Sequence, residues 1–332
     1  MLSVGSPGCL QGINAIYGHL LQRLEGLATC AKVNGMRKEI EQAIALLAQK
    51  DQKSVEGALE LLQGTVFSFS MKVCGQREDA EDTMQDVLVK SLPYLPQFDS
   101  PRALLVWLYR VAKNRCLMSR RRSKFAPKQD LSLDELMPDK LELELLSKQG
   151  PANPESQAIT SQQARRLREA VQKLPPPYRI VLVLRDMEGL TDDEVAEITG
   201  LKPGNVRVRL HRARLFVRKD LAQQGLTPRT TGKGAPRTPA KDLPPAPLPR
   251  SRSCKAMFAE LSNYLDEQLD DSMCNQLETH IGACRPCQAF LAALESTIHR
   301  LRQLPVDQPR KVTAEKLRSK LFATYTSQLP RD

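Results

Sequence analysis

Along most of the 332-residue chain, apolar residues recur at intervals of three and four. No stretch alternates apolar with polar residues long enough to argue for a strand. The expected fold class is therefore all-α. The periodicity fails in two places. From Thr227 to Arg250 the sequence is dense in Pro, Thr, Gly and Ala, the composition of a flexible or polyproline-like tether. A softer break holds Pro127, Pro138, Gly150, Pro151 and Pro154 around a Leu/Glu-rich piece, Leu131 to Leu146, a candidate short helix. The expected organisation is three helical modules, 36–126, 162–223 and 251–304, with linkers at 127–161 and 224–250 and a polar tail at 305–332. Residues 1–35 fit none of these and form an N-terminal extension; Met36 opens a strongly helical run and is a candidate start.

Lys and Arg outnumber Asp and Glu by 49 to 38, and the resulting charge of +11 favours a polyanionic partner such as nucleic acid. No run approaches the length of apolar residues that a membrane helix needs, and residues 1–30 lack a charged segment followed by an apolar one. A cytoplasmic protein with no membrane partner is expected. In that compartment the eight cysteines are read as reduced thiols or metal ligands rather than disulfides. Cys9, Cys30, Cys74 and Cys116 are scattered without ligand spacing, whereas Cys254, Cys274, Cys284 and Cys287 cluster.

In the first module, Arg77 to Leu92 reads as an amphipathic helix with Ala80, Met84, Val87 and Leu88 on one stripe and Asp79, Asp82 and Asp86 on another. From Pro101 to Lys128 there are nine Lys or Arg and no acid. These interleave with Trp107, Tyr109 and Phe125. Cations neutralise phosphates and aromatic faces accept unstacked bases, so the combination suits single-stranded DNA. Leu104, Trp107, Leu108 and Val111 also form an apolar stripe, which gives Trp107 a structural share.

Gly75-Gln76-Arg77-Glu78-Asp79-Ala80-Glu81-Asp82, Gln85-Asp86-Val87, Phe98 and Trp107-Leu108-Tyr109-Arg110-Val111-Ala112-Lys113-Asn114-Arg115 together resemble region 2 of the extracytoplasmic-function sigma factors of the sigma-70 family. The resemblance implies that Asp79, Asp82, Gln85 and Asp86 face core RNA polymerase. It further implies that Phe98, Trp107, Tyr109, Arg110, Lys113, Asn114 and Arg115 capture and melt the −10 promoter element.

The second module carries a helix-turn-helix. Tyr178 to Met187 is an apolar helix behind Leu174-Pro175-Pro176-Pro177, and Gly189 ends it. Thr191-Asp192-Asp193-Glu194 is a capping box. Gly200 permits the left-handed residue of a tight turn, and Pro203 starts the next helix. There Val206, Leu210, Ala213 and Val217 form a buried stripe. Lys202 to Lys219 holds seven Lys or Arg and no acid, as suits a helix in a major groove. Asn205, Arg207 and Arg209 are the candidate base readers, with Arg212 and Arg214 on phosphate. The segment resembles sigma region 4 in Arg179-Ile180-Val181-Leu182-Val183-Leu184-Arg185, Glu188-Gly189-Leu190-Thr191 and Glu194-Val195-Ala196-Glu197, which implies recognition of the −35 element.

His280-x3-Cys284-x2-Cys287 supplies three ligands suited to zinc, which takes four in a closed structural site. Cys254 or Cys274 can complete the set. The spacing resembles the zinc-binding anti-sigma family, whose pattern opens with a Cys ahead of a Tyr-Leu-Asp-like stretch, here Tyr264-Leu265-Asp266; that resemblance selects Cys254. Four protein ligands leave no open position, so the zinc would be structural. A spare Cys274 could join a disulfide on oxidation and expel the metal. Tethered through the linker, the zinc module would contact the sigma modules at high effective concentration and modulate them in cis. The expected function is that of a sigma factor that binds polymerase and directs promoter recognition and initiation. The alternative is a zinc-dependent helix-turn-helix regulator or adaptor that does not melt promoters. No paired carboxylates, activated nucleophile or phosphate-cradling loop argues for an enzyme.

Overall fold

The computed structural model describes residues 29–49, 51–98, 100–119, 130–138, 142, 160–224 and 252–328. Every regular element among them is helical. None of these helices is long and apolar enough to cross a membrane. The chain divides into two compact units. One comprises Ala28–Asp130, Ala164–Ala213 and Leu301–Asp332, and the other includes Leu131–Gln163 and Arg214–Arg300.

The first unit opens with α1 (Thr29–Gln49), inside which Met36 lies, followed by α2 (Gln52–Cys74), α3 (Arg77–Ser91) and α4 (Pro101–Ser119). Ile40, Ala43, Leu59, Leu62, Val66, Met84, Leu88, Leu104 and Leu108 are fully buried among them. Asp51 caps α2 by accepting from the Ser54 amide at 3.0 Å. Gly75 stops the helix at φ 78°. A Cβ there would stand 2.2 Å from Gln172 Oε1, so both backbone conformation and space require glycine. Cys74 and Cys116 are disulfide-bonded, with Cα atoms 5.5 Å apart. This corrects the reading of both as scattered thiols: the pairing arises where the end of α2 packs on the end of α4, a contact that spacing along the chain does not reveal.

The same unit continues with α5 (Ser161–Lys173), α6 (Pro176–Leu182, prolonged by a π turn over Val183–Met187), α7 (Asp192–Thr199) and the first part, to Ala213, of α8 (Pro203–Gln223). The capping box forms as read: Thr191 Oγ1 accepts from the Glu194 amide at 3.3 Å, and the Glu194 carboxylate takes the Thr191 amide at 2.9 Å. Gly200 is left-handed, at φ 75°.

Buried polar groups tie α6 and the following turn to α2 and α4. Arg179 is 5% exposed and donates to the carbonyls of Val73 and Leu174, each at 2.8 Å. It thereby satisfies a carbonyl at the negative end of α2. Glu188 is 3% exposed; it accepts from Lys72 Nζ at 2.6 Å and from the Tyr109 hydroxyl at 3.0 Å.

The second unit begins with a helical turn, Leu133–Leu136, within the Leu131–Leu146 piece. It continues with α9 (Arg252–Leu265), α10 (Asp271–Ala283) and α11 (Arg285–Gln303). Their core includes Phe258, Leu261, Tyr264, Leu277, Ile281, Phe290 and Leu294, joined by Leu136 and by Leu215 of α8. The division between units thus falls inside α8, after Ala213, rather than at the 224–250 linker, which lies outside the described residues apart from Gln224. The stretch read as a polar tail contains α12 (Lys311–Gln328), a helix of the first unit with Leu317 and Leu321 buried.

Glu188→Ala leaves the Lys72 ammonium buried without its counter-charge, an expected loss of about 3–5 kcal/mol. Urea unfolding checks this, and adding Lys72→Met to Glu188→Ala should recover most of it. A loss below about 1 kcal/mol would mean that solvent screens the pair.

Candidate nucleic-acid interface and metal centre

On α3, Asp82 and Gln85 are exposed and Asp79 is half-buried, so the acidic face is open as read. Asp86 differs, because its carboxylate holds Arg115 Nε at 2.6 Å. Phe98 and Trp107 are both half-buried and meet edge to face with centroids 6.0 Å apart. Tyr94, 49% exposed, has its ring centroid 5.8 Å from that of the indole. Sequence reading passed over Tyr94, although an aromatic in a proline-flanked turn just ahead of the basic helix is a signal for it.

Tyr109 must be corrected. It is completely buried, stacks on Phe69 at 4.4 Å and donates to Glu188. Burial, reinforced by the Glu188 carboxylate, holds its phenol well above the usual value. Leu105, Leu108, Tyr109, Ala112 and Cys116 share the inward face of α4, so this ring cannot meet a base in this arrangement. Asn114 remains exposed.

The cations of α4 meet α7 inside the first unit. Arg110 donates to the Glu197 carbonyl at 2.7 Å, and Lys113 donates to the Ile198 carbonyl at 2.9 Å. Arg102 reaches the Glu197 carboxylate at 3.0 Å and Glu194 at 3.6 Å. Carbonyls in the last turn of a helix carry its negative end, so α7 presents these cations with partners resembling a phosphate. Burial first, and Arg110 second, lower the Lys113 ammonium from its ordinary value. The cluster Arg120-Arg121-Arg122 and Phe125 lie outside the described residues.

In α8, Val206, Leu210, Ala213 and Val217 are buried as expected. Asn205 is exposed, while Arg207, Arg209 and Arg212 are half-buried. Asn205, Arg209 and Arg212 share one face, and Val208 joins them at 50% exposure. A valine among basic residues carries no electrostatic signal that sequence reading would pick out; its methyls are suited to a thymine methyl.

Arg214 is the second correction. It is 0% exposed, and its two terminal nitrogens reach both oxygens of Asp266 at 2.7 and 2.9 Å. One position beyond Ala213, Arg214 belongs to the second unit, and its side chain is buried there instead of facing solvent. Arg218, 3% exposed, donates to Glu142 at 2.5 Å and lies 4.4 Å from the Phe290 ring centroid.

Cys254 on α9, His280 on α10, Cys284 at the end of α10 and Cys287 at the start of α11 place all four ligand atoms within 4.8 Å of one another. Cys254 and Cys287 sulfurs are 3.9 Å apart, and His280 Nε2 lies 3.3 and 3.1 Å from them. Ligands on a tetrahedron with Zn–S bonds near 2.3 Å are separated by about 3.8 Å, so the donor set and its size fit zinc. Burial, followed by Cys284 and Cys254, pushes the Cys287 thiol far up. Cys274 is buried, disulfide-bonded and outside the cluster. It is therefore Cys254 that the fold brings to the ligand set.

Three family models match along the chain: Sigma-70 region 2 over residues 59–125, Sigma-70, region 4 over 164–217, and "Putative zinc-finger" over 254–288. The chain carries sigma-70 regions 2 and 4 in that order, followed by a zinc-finger module, and it is similar to extracytoplasmic-function RNA polymerase sigma factors. These modules and relatives support promoter recognition as a sigma factor, and the similar sigma factors imply core RNA polymerase and promoter DNA as partners. The ECF RNA polymerase sigma factor SigW of Bacillus subtilis is 27% identical over 188 residues, 56% of this chain and 98% of that relative. SigE of Mycolicibacterium smegmatis is 31% identical over 159 residues, 48% of this chain and 58% of the relative. YlaC of Bacillus subtilis is 26% identical over 174 residues, 52% and 95% of the two chains. These matches do not favour a regulator that leaves the promoter closed. The α3 and α4 candidates of this sigma factor lie within the region 2 match, those of α8 within the region 4 match, and all four candidate ligands within the zinc-finger match.

Proposed function

We propose that this sigma factor contacts core polymerase through Asp79, Asp82, Gln85 and Asp86 and opens −10 DNA with Phe98, Trp107, Arg110, Lys113, Asn114 and Arg115, assisted by Tyr94. Asn205, Val208, Arg209 and Arg212 read the −35 duplex, with Arg207 on the flank. The observation that carries this reading is the split of exposure along α3, α4 and α8. Asp82 and Gln85 and the base-facing positions 205 and 208 stay open, while the apolar stripes are buried.

The conformation described is a self-occupied one. The α4 cations rest on α7, and Arg214 and Arg218 of α8 rest on Asp266, Glu142 and Phe290. Initiation requires at least the first set to be released. The zinc module acts in cis by withdrawing two cations from the helix that meets −35 phosphates. Zinc, held by Cys254, His280, Cys284 and Cys287, would supply the cross-link that a core this small needs. It would also keep the three sulfurs as thiolates.

Run-off transcription with core polymerase and promoter fragments from the host tests the reading. The full chain should initiate, and Trp107→Ala should abolish run-off while leaving polymerase binding intact. Arg209→Ala should cost about 1–3 kcal/mol of promoter affinity. Failure of the full chain to yield transcripts from every such fragment would overturn it. Independently, the purified protein should carry stoichiometric zinc, and Cys287→Ser should release it and deprotect the amides of α9–α11. Full amide protection in a zinc-free preparation would contradict a structural metal.

A further inference from the structure

The C-terminal segment of the first unit lies against the helix read as the polymerase contact. Arg310 forks onto Glu81 of α3, with Nε 2.9 Å from Oε1 and Nη2 2.5 Å from Oε2. Glu81 is 6% exposed and sits one turn from both Glu78 and Gln85, at the edge of the acidic face. The guanidinium beside it holds its carboxyl below the usual range, so the pair is ionised at neutral pH. Arg77, also on α3, donates to the Gln308 carbonyl at 3.2 Å. Beyond Arg310 the chain becomes α12, which lies on α2: Gln63 donates to the Ala314 carbonyl at 3.1 Å, Arg318 reaches Glu60 at 2.7 Å, and Leu317 and Leu321 are buried.

We propose that residues 307–328 form an intramolecular cap, with Arg310 as its latch, which competes with core polymerase for the α2–α3 surface. The inference rests on reading α3 as the polymerase-docking helix. Three features favour a removable cap over a permanent part of the core. The segment buries few large apolar side chains. Two of its polar anchors reach solvent: the Arg310 side chain is 56% exposed, and Glu60, the partner of Arg318, is 69% exposed. Val312 remains 63% exposed. Such a contact opens far more cheaply than a buried core. A partner presenting a basic surface to the acidic face would displace one cation with another and obtain the whole face of α3.

The experiment measures core polymerase affinity of the full chain by fluorescence anisotropy, with hydrogen exchange of α12 read in parallel. Arg310→Glu sets a carboxylate against Glu81 and Glu78. Leu321→Asp releases α12 from α2 without altering α3. A cap closed nine-tenths of the time lowers apparent affinity about tenfold, so both variants should bind polymerase roughly tenfold tighter, with faster exchange in α12. Unchanged or weaker binding despite faster exchange would overturn the cap, provided that Asp82→Arg still weakens binding. If Asp82→Arg has no effect, the docking reading of α3 itself fails, and the cap fails with it.

Discussion

A single buried carboxylate, Glu188, organises the first unit. It stands between the Lys72 ammonium and the Tyr109 hydroxyl, on a turn that Gly189 closes at φ 70°. A charge so placed is tolerable only with its partner and its hydrogen bonds in position, so the turn before the helix-turn-helix must meet α2 and α4 together. Arg179 extends the same logic by serving carbonyls at the end of α2 and in the turn between α5 and α6. Once α6 is seated in this way, α7 follows from its capping box and lies along α4.

This seating has a functional consequence. The residues that a promoter would engage are polar groups needing partners, and in this conformation the chain supplies them. Arg102, Arg110 and Lys113 find carboxylates and helix-end carbonyls on α7, while Arg214 and Arg218 find carboxylates of the second unit. Each substitute resembles a phosphate in charge or dipole, so exchange for DNA replaces one set of charge-assisted bonds by another. Stability and activity are thereby linked through the same side chains.

What the sequence revealed was local. Thr191 and Glu194 form the box their spacing implies, Gly200 takes the left-handed turn, and the His-x3-Cys-x2-Cys run with Cys254 converges on one point. Short-range geometry fixes such features. The sequence was less informative where long-range packing decides. Tyr109 and Arg214 each lie one residue from a buried position, and a rotation of one residue along a helix separates a solvent-facing side chain from a buried one. The Cys74–Cys116 disulfide and the docking of α12 on α2 join segments far apart in the chain. Leu317 and Leu321, spaced by four, are an apolar hint of that docking within an otherwise largely polar stretch.

The central claim is that α7 occupies the α4 cations that DNA would take. The sole tryptophan of the chain, Trp107, lies on α4 and reports on base stacking there. The decisive measurement titrates the full chain with a single-stranded −10 oligonucleotide while following Trp107 fluorescence, in the unaltered protein, in Glu197→Ala and in Asp193→Ala. The account predicts binding roughly fivefold tighter in Glu197→Ala, because Arg102 and Arg110 lose the carboxylate that competes with DNA, which shifts the population toward the open form. Asp193→Ala, which removes the same charge from the exposed start of α7, should leave the affinity unchanged. Equal affinities in all three proteins, or equal gains in both variants, would contradict it.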